Sequence, residues 1–403
     1  MSTPDPTQHQ PETVAPRNDA RGPRDHGGMM MHMARRATPT QIAAVSTMTS
    51  LALIAGLLFA AGYANLTLSA RQVGGLVMPP GMIMTRETSA EAMRDMAAVD
   101  PRVVAVAAPA EARGDQPLQP SFAADGAKVF KVVAGVTRWN ILPEAAVDAY
   151  AFNGQVPGPR IRVTEGDHLR INVTNQLPES TTVHWHGLIV PNQMDGPAEI
   201  TQAPIQPGQT FVYEFVAQQP GTFFYHSHDH VDRQQALGLY GALIVDPRQP
   251  PSSIAYDREL VVQLQEWLQR DGYTYPSMPM EGAMPNFFTI NGKAYPATET
   301  IRLRVGERLL VRFIGSQSAF IHPMHIHGGP FRILQADGYP VSDPAQLVKD
   351  TVNVGPGEHY DVMWEARTPG KWLLHCHINH HTTNDNREEQ GGGGLMEILE
   401  VVP

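Results

Sequence analysis

The chain has 403 residues, 42% of them hydrophobic, with a formal net charge of -10, and it carries 17 His but a single Cys. This composition excludes a small disulfide scaffold and a many-span membrane protein, and the acidic balance leaves no nucleic-acid footprint, since phosphates call for concentrated Lys and Arg. One cysteine cannot close an internal disulfide, so Cys376 is a buried thiol, a nucleophile, an intermolecular link or a metal ligand.

Residues 1–41 are rich in Pro, Arg, Gln and Asp, bury too little to offset the entropy of ordering, and read as a disordered cytoplasmic tail. Residues 42–66 are nearly free of charge and long enough for a bilayer-crossing helix, which needs about 20 apolar residues. Arg17, Arg21, Arg24, Arg35 and Arg36 precede the segment, so the positive-inside rule sends the rest of the chain out of the cytoplasm, to a periplasmic location with an inner-membrane tether. A cleaved secretory signal is the alternative: Gly62-Tyr63-Ala64 supplies small residues for cleavage, and Arg35-Arg36 raises a twin-arginine signal. Residues 67–125 read as a linker containing Met78, Met82, Met84, Met93 and Met96. Thioethers suit Cu(I), although Met93 and Met96 also fit one face of a short amphipathic helix.

After Lys128 the texture becomes short apolar runs between Gly, Pro and Asn turns, the pattern of an all-β sandwich or barrel. Asp246-Pro247-Arg248-Gln249-Pro250-Pro251 divides two such series, because proline stops strands. Two β domains are therefore expected, over 126–247 and 252–403.

Most histidines fall in four clusters: His184-Trp185-His186, His226-Ser227-His228, His322-Pro323-Met324-His325-Ile326-His327, and His375-Cys376-His377 followed by His381. On a strand, residues i and i+2 share a face, so each His-x-His pair aims two imidazoles at one point. Neutral imidazole is the commonest transition-metal ligand. The same alternation turns Cys376 away from His375 and His377, and turns His322 away from His325. His381, just past the strand, can fold back to Cys376. A thiolate with two imidazoles is the donor set of a blue-copper site, wired through residues 375–377 to a multi-histidine site on the other face. A closed zinc site needs only four ligands and gains nothing from eight histidines.

These clusters resemble, in order and type, the four copper signatures of the multicopper oxidases, the laccase and ceruloplasmin family. Asn153-Gly154-Gln155-Val156-Pro157-Gly158-Pro159 and Gly221-Thr222-Phe223-Phe224-Tyr225-His226 fit the same resemblance, which covers about residues 126–403. It implies two tandem cupredoxin domains, Greek-key β-barrels, holding four coppers per functional unit. It implies a type 1 copper at His322, Cys376 and His381, and a type 2 copper at His184 and His325. A type 3 pair would take His186, His226, His228, His327, His375 and His377. Type 1 copper would take electrons singly from a phenol-like donor or a metal ion, and O2 would be reduced to water at the trinuclear cluster. Asp195 resembles the family's proton-relaying acid and equally reads as a turn residue before Gly196.

Two departures from the family pattern carry expectations of their own. Thr382 to Gly393 intervene before Gly394-Leu395-Met396, which makes Leu395 the axial, non-ligating position, with Met396 the alternative. The insert, with Asn384, Asp385, Glu388 and Glu389, would form an acidic rim or a plain solvated loop. With room for two domains rather than three, the first domain of one subunit should meet the second domain of the next, closing a homotrimer with interfacial trinuclear sites. The competing functions are a copper nitrite reductase, whose type 1 cysteine would sit in the first domain where this chain has none, and a non-catalytic copper-binding scaffold, which predicts missing ligands.

Overall fold

The computed structural model describes residues 38–66, 94–249, 255–279, 283–316, 319–388 and 391–403. Residues 1–37 of the expected tail and Met78, Met82, Met84 and Met93 lie outside the described residues, and the rest of that tail, from Pro39, is helical. A long helix, Pro39–Leu66, forms where the uncharged run predicts one, and Pro39 opens it at the position where a missing N–H costs nothing. Residues 46–58 of it are exposed. Among the described residues, no helix is long and apolar enough to cross a membrane.

From residue 94 onward the chain is mostly strand. The first half is two facing sheets. One runs Val106–Ala107, Lys128–Asn140, His168–Asn175, Thr210–Val216; the other runs Gly158–Thr164, Tyr240–Asp246, Gly221–Ser227, Val183–His186. His168–Asn175 alternates half-buried and buried along its length, the signature of one face in a core and one toward solvent. Phe130, Ile171, Trp185, Tyr213 and Tyr225 close the core between the sheets. The second half repeats the plan. An eight-stranded sheet built around Arg258–Arg270, Arg308–Ile314 and His359–Glu365 faces a sheet ordered Thr300–Arg304, Met396–Val402, Gly370–Cys376, His322–Ile326, Thr351–Val354.

The linker expected over 67–125 is corrected from Arg94 on. Ala97, Ala98 and Val99 are buried, Val106–Ala107 pairs with Lys128–Asn140, and the buried Arg233 donates to the carbonyl of Ala97. Small apolar residues and a strand-forming Val let this stretch dock, where composition alone suggested a spacer.

The halves are joined chiefly by an apolar cluster and a buried ion-pair network. Trp139, Val147 and Tyr240 of the first half share a buried cluster with Trp267, Phe287 and Ala294 of the second, and Trp139 Nε1–H donates to the Gly292 carbonyl at 2.7 Å. Arg312 pairs with Asp361 and Glu259 and donates to Thr222 Oγ1 at 2.7 Å. Burial pushes the Asp361 carboxyl up while the Arg312 guanidinium opposes the shift.

Candidate metal centres

In the first half, Val183–His186 pairs antiparallel with Gly221–Ser227, setting His184 opposite His226 and His186 opposite Phe224. Residues opposite one another share a face, so the imidazoles gather on one side while Trp185 and Tyr225 enter the core. Ligand atoms of His184, His186 and His226 lie within 4.8 Å of one another. The His228 ring stands 5.4 Å from that of His184 and 6.0 Å from that of His226. Backbone carbonyls fix the rings: His184 Nδ1–H donates to Asp195 O at 2.7 Å, and His226 Nδ1–H donates to Ser227 O at 2.8 Å. Each bond leaves Nε2 as a free lone pair, the form a metal needs.

Asp195 stands beside the first imidazole group and at the end of a turn. Its carboxylate Oδ1 lies 3.5 Å from His184 Nδ1, while its peptide ends the turn Asn192–Met194. Gly196 must follow it, because φ is +104° and a Cβ there would sit 2.1 Å from the Val183 carbonyl oxygen.

In the second half, His322–Ile326 pairs with Gly370–Cys376 so that His325 faces His375 and Met324 faces Cys376. His325, His327 and His375 have ligand atoms within 4.8 Å of one another. Nε2 of His327 and Nε2 of His375 are 3.0 Å apart. His325 Nδ1–H donates to Asp350 O at 2.7 Å and His375 Nδ1–H to Cys376 O at 2.9 Å, again freeing Nε2. The exposed His377 joins this face, its ring 5.8 Å from His325 and 5.7 Å from His375.

The opposite face of the same strands holds the third group. Cys376 Sγ is 3.5 Å from His381 Nδ1 and 3.9 Å from His322 Nδ1, and all three residues are buried. The short helical turn Asn379–Thr382 carries His381 back over the sulfur, where Phe288 stacks on its ring at 4.4 Å. Met396 lies opposite His375 and so belongs to the imidazole face. Leu395 is in the same buried cluster as Cys376, whose N–H donates to its carbonyl at 3.1 Å. The insert after Thr382 is pinned rather than free over its described part: Asn384 N–H and Arg387 N–H exchange bonds, and Asp385 N–H donates to Asn286 O.

Electrostatics favour unprotonated donors. Burial pushes the His186 pKa down to about 4 and that of His381 to about 3, and lowers those of His184, His226, His327 and His375. Burial also pushes the Cys376 thiol up to about 12, so a proton must leave sulfur when a metal binds. One soft sulfur with two imidazoles beside a second set made only of imidazoles fits copper in both places.

The two imidazole groups are separate within the chain: no donor of the first belongs to the second among the described residues. The halves touch beside the first group through His359, a buried residue whose ring is 6.2 Å from that of His186. Sequence reasoning missed His359, Asp350 and also Glu266, whose Oε1 is 2.7 Å from His322 Nε2. None sits in a recognisable motif; each reaches the donors through tertiary contact.

The multicopper oxidase sequence family matches residues 134–250 and again 273–386. The chain is 31% identical over 285 residues to copper resistance protein A of Escherichia coli, covering 59% of this chain and 46% of that protein. It is 32% identical over 300 residues to Laccase-1 of Cryptococcus neoformans var. neoformans, covering 66% of this chain and 45% of that one. The chain thus spans about half the length of the curated relatives it matches. The crystal structure of a blue copper oxidase from Nitrosomonas europaea superposes with a TM-score of 0.62 at 35% identity, over 68% of this chain and 85% of that chain. Since the two matched segments enclose every histidine of the three groups and the likeness extends to the backbone, the chain belongs to the multicopper oxidase family.

Proposed function

We propose that this protein is a laccase-like oxidase that passes electrons one at a time from a small donor to O2, with a phenol-like molecule or a metal ion as the donor. Copper held at the sulfur site would supply one-electron redox chemistry there, and copper held by the imidazole face would supply O2 reduction. The reading is carried by one observation: Cys376 lies between His375 and the bend to His381, so a single three-residue backbone segment belongs to both donor sets. The chain's own residues supply the rest. His322 and His381 flank the buried sulfur, and Leu395, packed in the same cluster, would offer a metal held there no donor atom. Asp195 is placed to hold or release a proton beside His184.

Each half of the chain offers part of the imidazole set, so the complete site requires a second copy. A head-to-tail homotrimer, first half against second half, closes three such sites. Exposed Ile189, Ile200, Ile321 and Ile378 lie close in sequence to the histidine clusters, as expected of surfaces that another subunit covers. Export from the cytoplasm completes the proposal, supported by the arginines before residues 42–66 and by that segment's lack of charge.

Copper-loaded protein should show an intense visible thiolate-to-copper band and donor-dependent O2 uptake at an oxygen electrode. Nitrite consumption without O2 uptake would overturn this reading in favour of a nitrite reductase.

A further inference from the structure

Glu266 lies on Arg258–Arg270, entirely shielded from solvent, and approaches the sulfur site from behind His322. Its Oε1 is 2.7 Å from His322 Nε2, while His322 Nδ1 faces His381 Nδ1 at 3.1 Å and Cys376 Sγ at 3.9 Å. The carboxylate therefore takes the ring nitrogen that points away from the donor set. With Nε2–H donated to Glu266, Nδ1 is left as the lone pair aimed at the metal position.

The charge of this carboxylate is unusual as well. Its Oε2 is buried with no hydrogen-bond partner, and among the described residues its ion-pair partner is the His322 ring alone. An isolated buried carboxylate is costly unless positive charge lies near. A divalent ion bound to one thiolate leaves one net positive charge in the pocket, which the carboxylate cancels through the imidazole; after one-electron reduction the pocket is left one charge negative.

We propose that Glu266 is a positioning residue of the sulfur site that locks the His322 tautomer and favours the oxidised form of the copper bound there. This acts against Leu395, whose missing axial donor raises the reduction potential. The inference rests on the copper reading proposed above.

The test compares wild type, Glu266→Gln, which removes the charge at nearly constant volume, and Glu266→Asp, which keeps it. In Glu266→Gln, copper affinity at the sulfur site should fall by about 10- to 100-fold. Its redox titration, followed through the visible band, should move toward the reduced form, and Glu266→Asp should lie nearer wild type. Should the variants fail to fold, wild type loaded with Cu(I) and 15N-histidine must still show a slowly exchanging Nε2 proton on His322; its absence overturns the proposal. A wild-type band with unchanged affinity and titration in Glu266→Gln overturns this inference alone. A wild type that binds copper without any thiolate band overturns both it and the oxidase reading.

Discussion

A thiol enclosed by two imidazole nitrogens and apolar side chains, with burial holding its proton on, has little use at neutral pH until a metal displaces that proton. Replacing Cys376 by Ser keeps the volume but removes the thiolate. The visible band and O2 uptake should both vanish, and retained uptake would place electron transfer elsewhere. Asp195 makes a different prediction, because it touches the imidazole face and not the sulfur. Asp195→Asn should slow O2 uptake by about 10²- to 10⁴-fold, the usual contribution of a proton-transferring group, while the visible band stays intact. Near-normal uptake would leave Asp195 a turn residue. The neighbouring Gly196 is dictated by its steric contact with Val183 and needs no catalytic explanation.

At the scale of single elements, the alternation of a β-strand sorts the ligands. His325 opposite His375 and Met324 opposite Cys376 are consequences of one register, and a slip by one residue would exchange sulfur for imidazole. The same rule settles which side of the sheet each axial candidate takes: Met396 faces with His375, and Leu395 stays with Cys376. Leu395→Met would bring a thioether to the sulfur site, and a redox titration should show a lower potential than wild type. This alternation was fully legible in the amino-acid order, since it needs only local extended backbone. The docking of residues 94–107 was not legible, because Ala, Pro and Asp in a row carry no periodicity and their burial depends on a distant partner such as Arg233.

Across the whole molecule, the two halves are held by an apolar cluster around Trp139 and Trp267 and by the buried Arg312 network. Arg312→Met leaves Asp361 and Glu259 without that cation, and breaking such a buried pair costs about 3–5 kcal/mol. A lower urea midpoint should report it, with the visible band of the remaining folded protein unchanged. The proposed trimer makes a sharper forecast. His186→Ala and His375→Ala chains should each be inactive alone, yet mixed trimers should regain O2 uptake. At some interfaces an intact first half then meets an intact second half. Failure to complement in mixed oligomers would exclude sites shared between subunits.

What the sequence determined by itself was the chemistry: which residues can bind metal, how they divide between two faces of one strand, and that both halves are β. Those properties depend on side-chain identity and on a two-residue period that any extended segment obeys. Tertiary structure alone decided that the stretch from Arg94 docks. It alone brought Glu266 to His322, 56 positions away, and His359 to His186. Contacts of that span are set by how sheets pack on one another, a long-range outcome that no local pattern encodes.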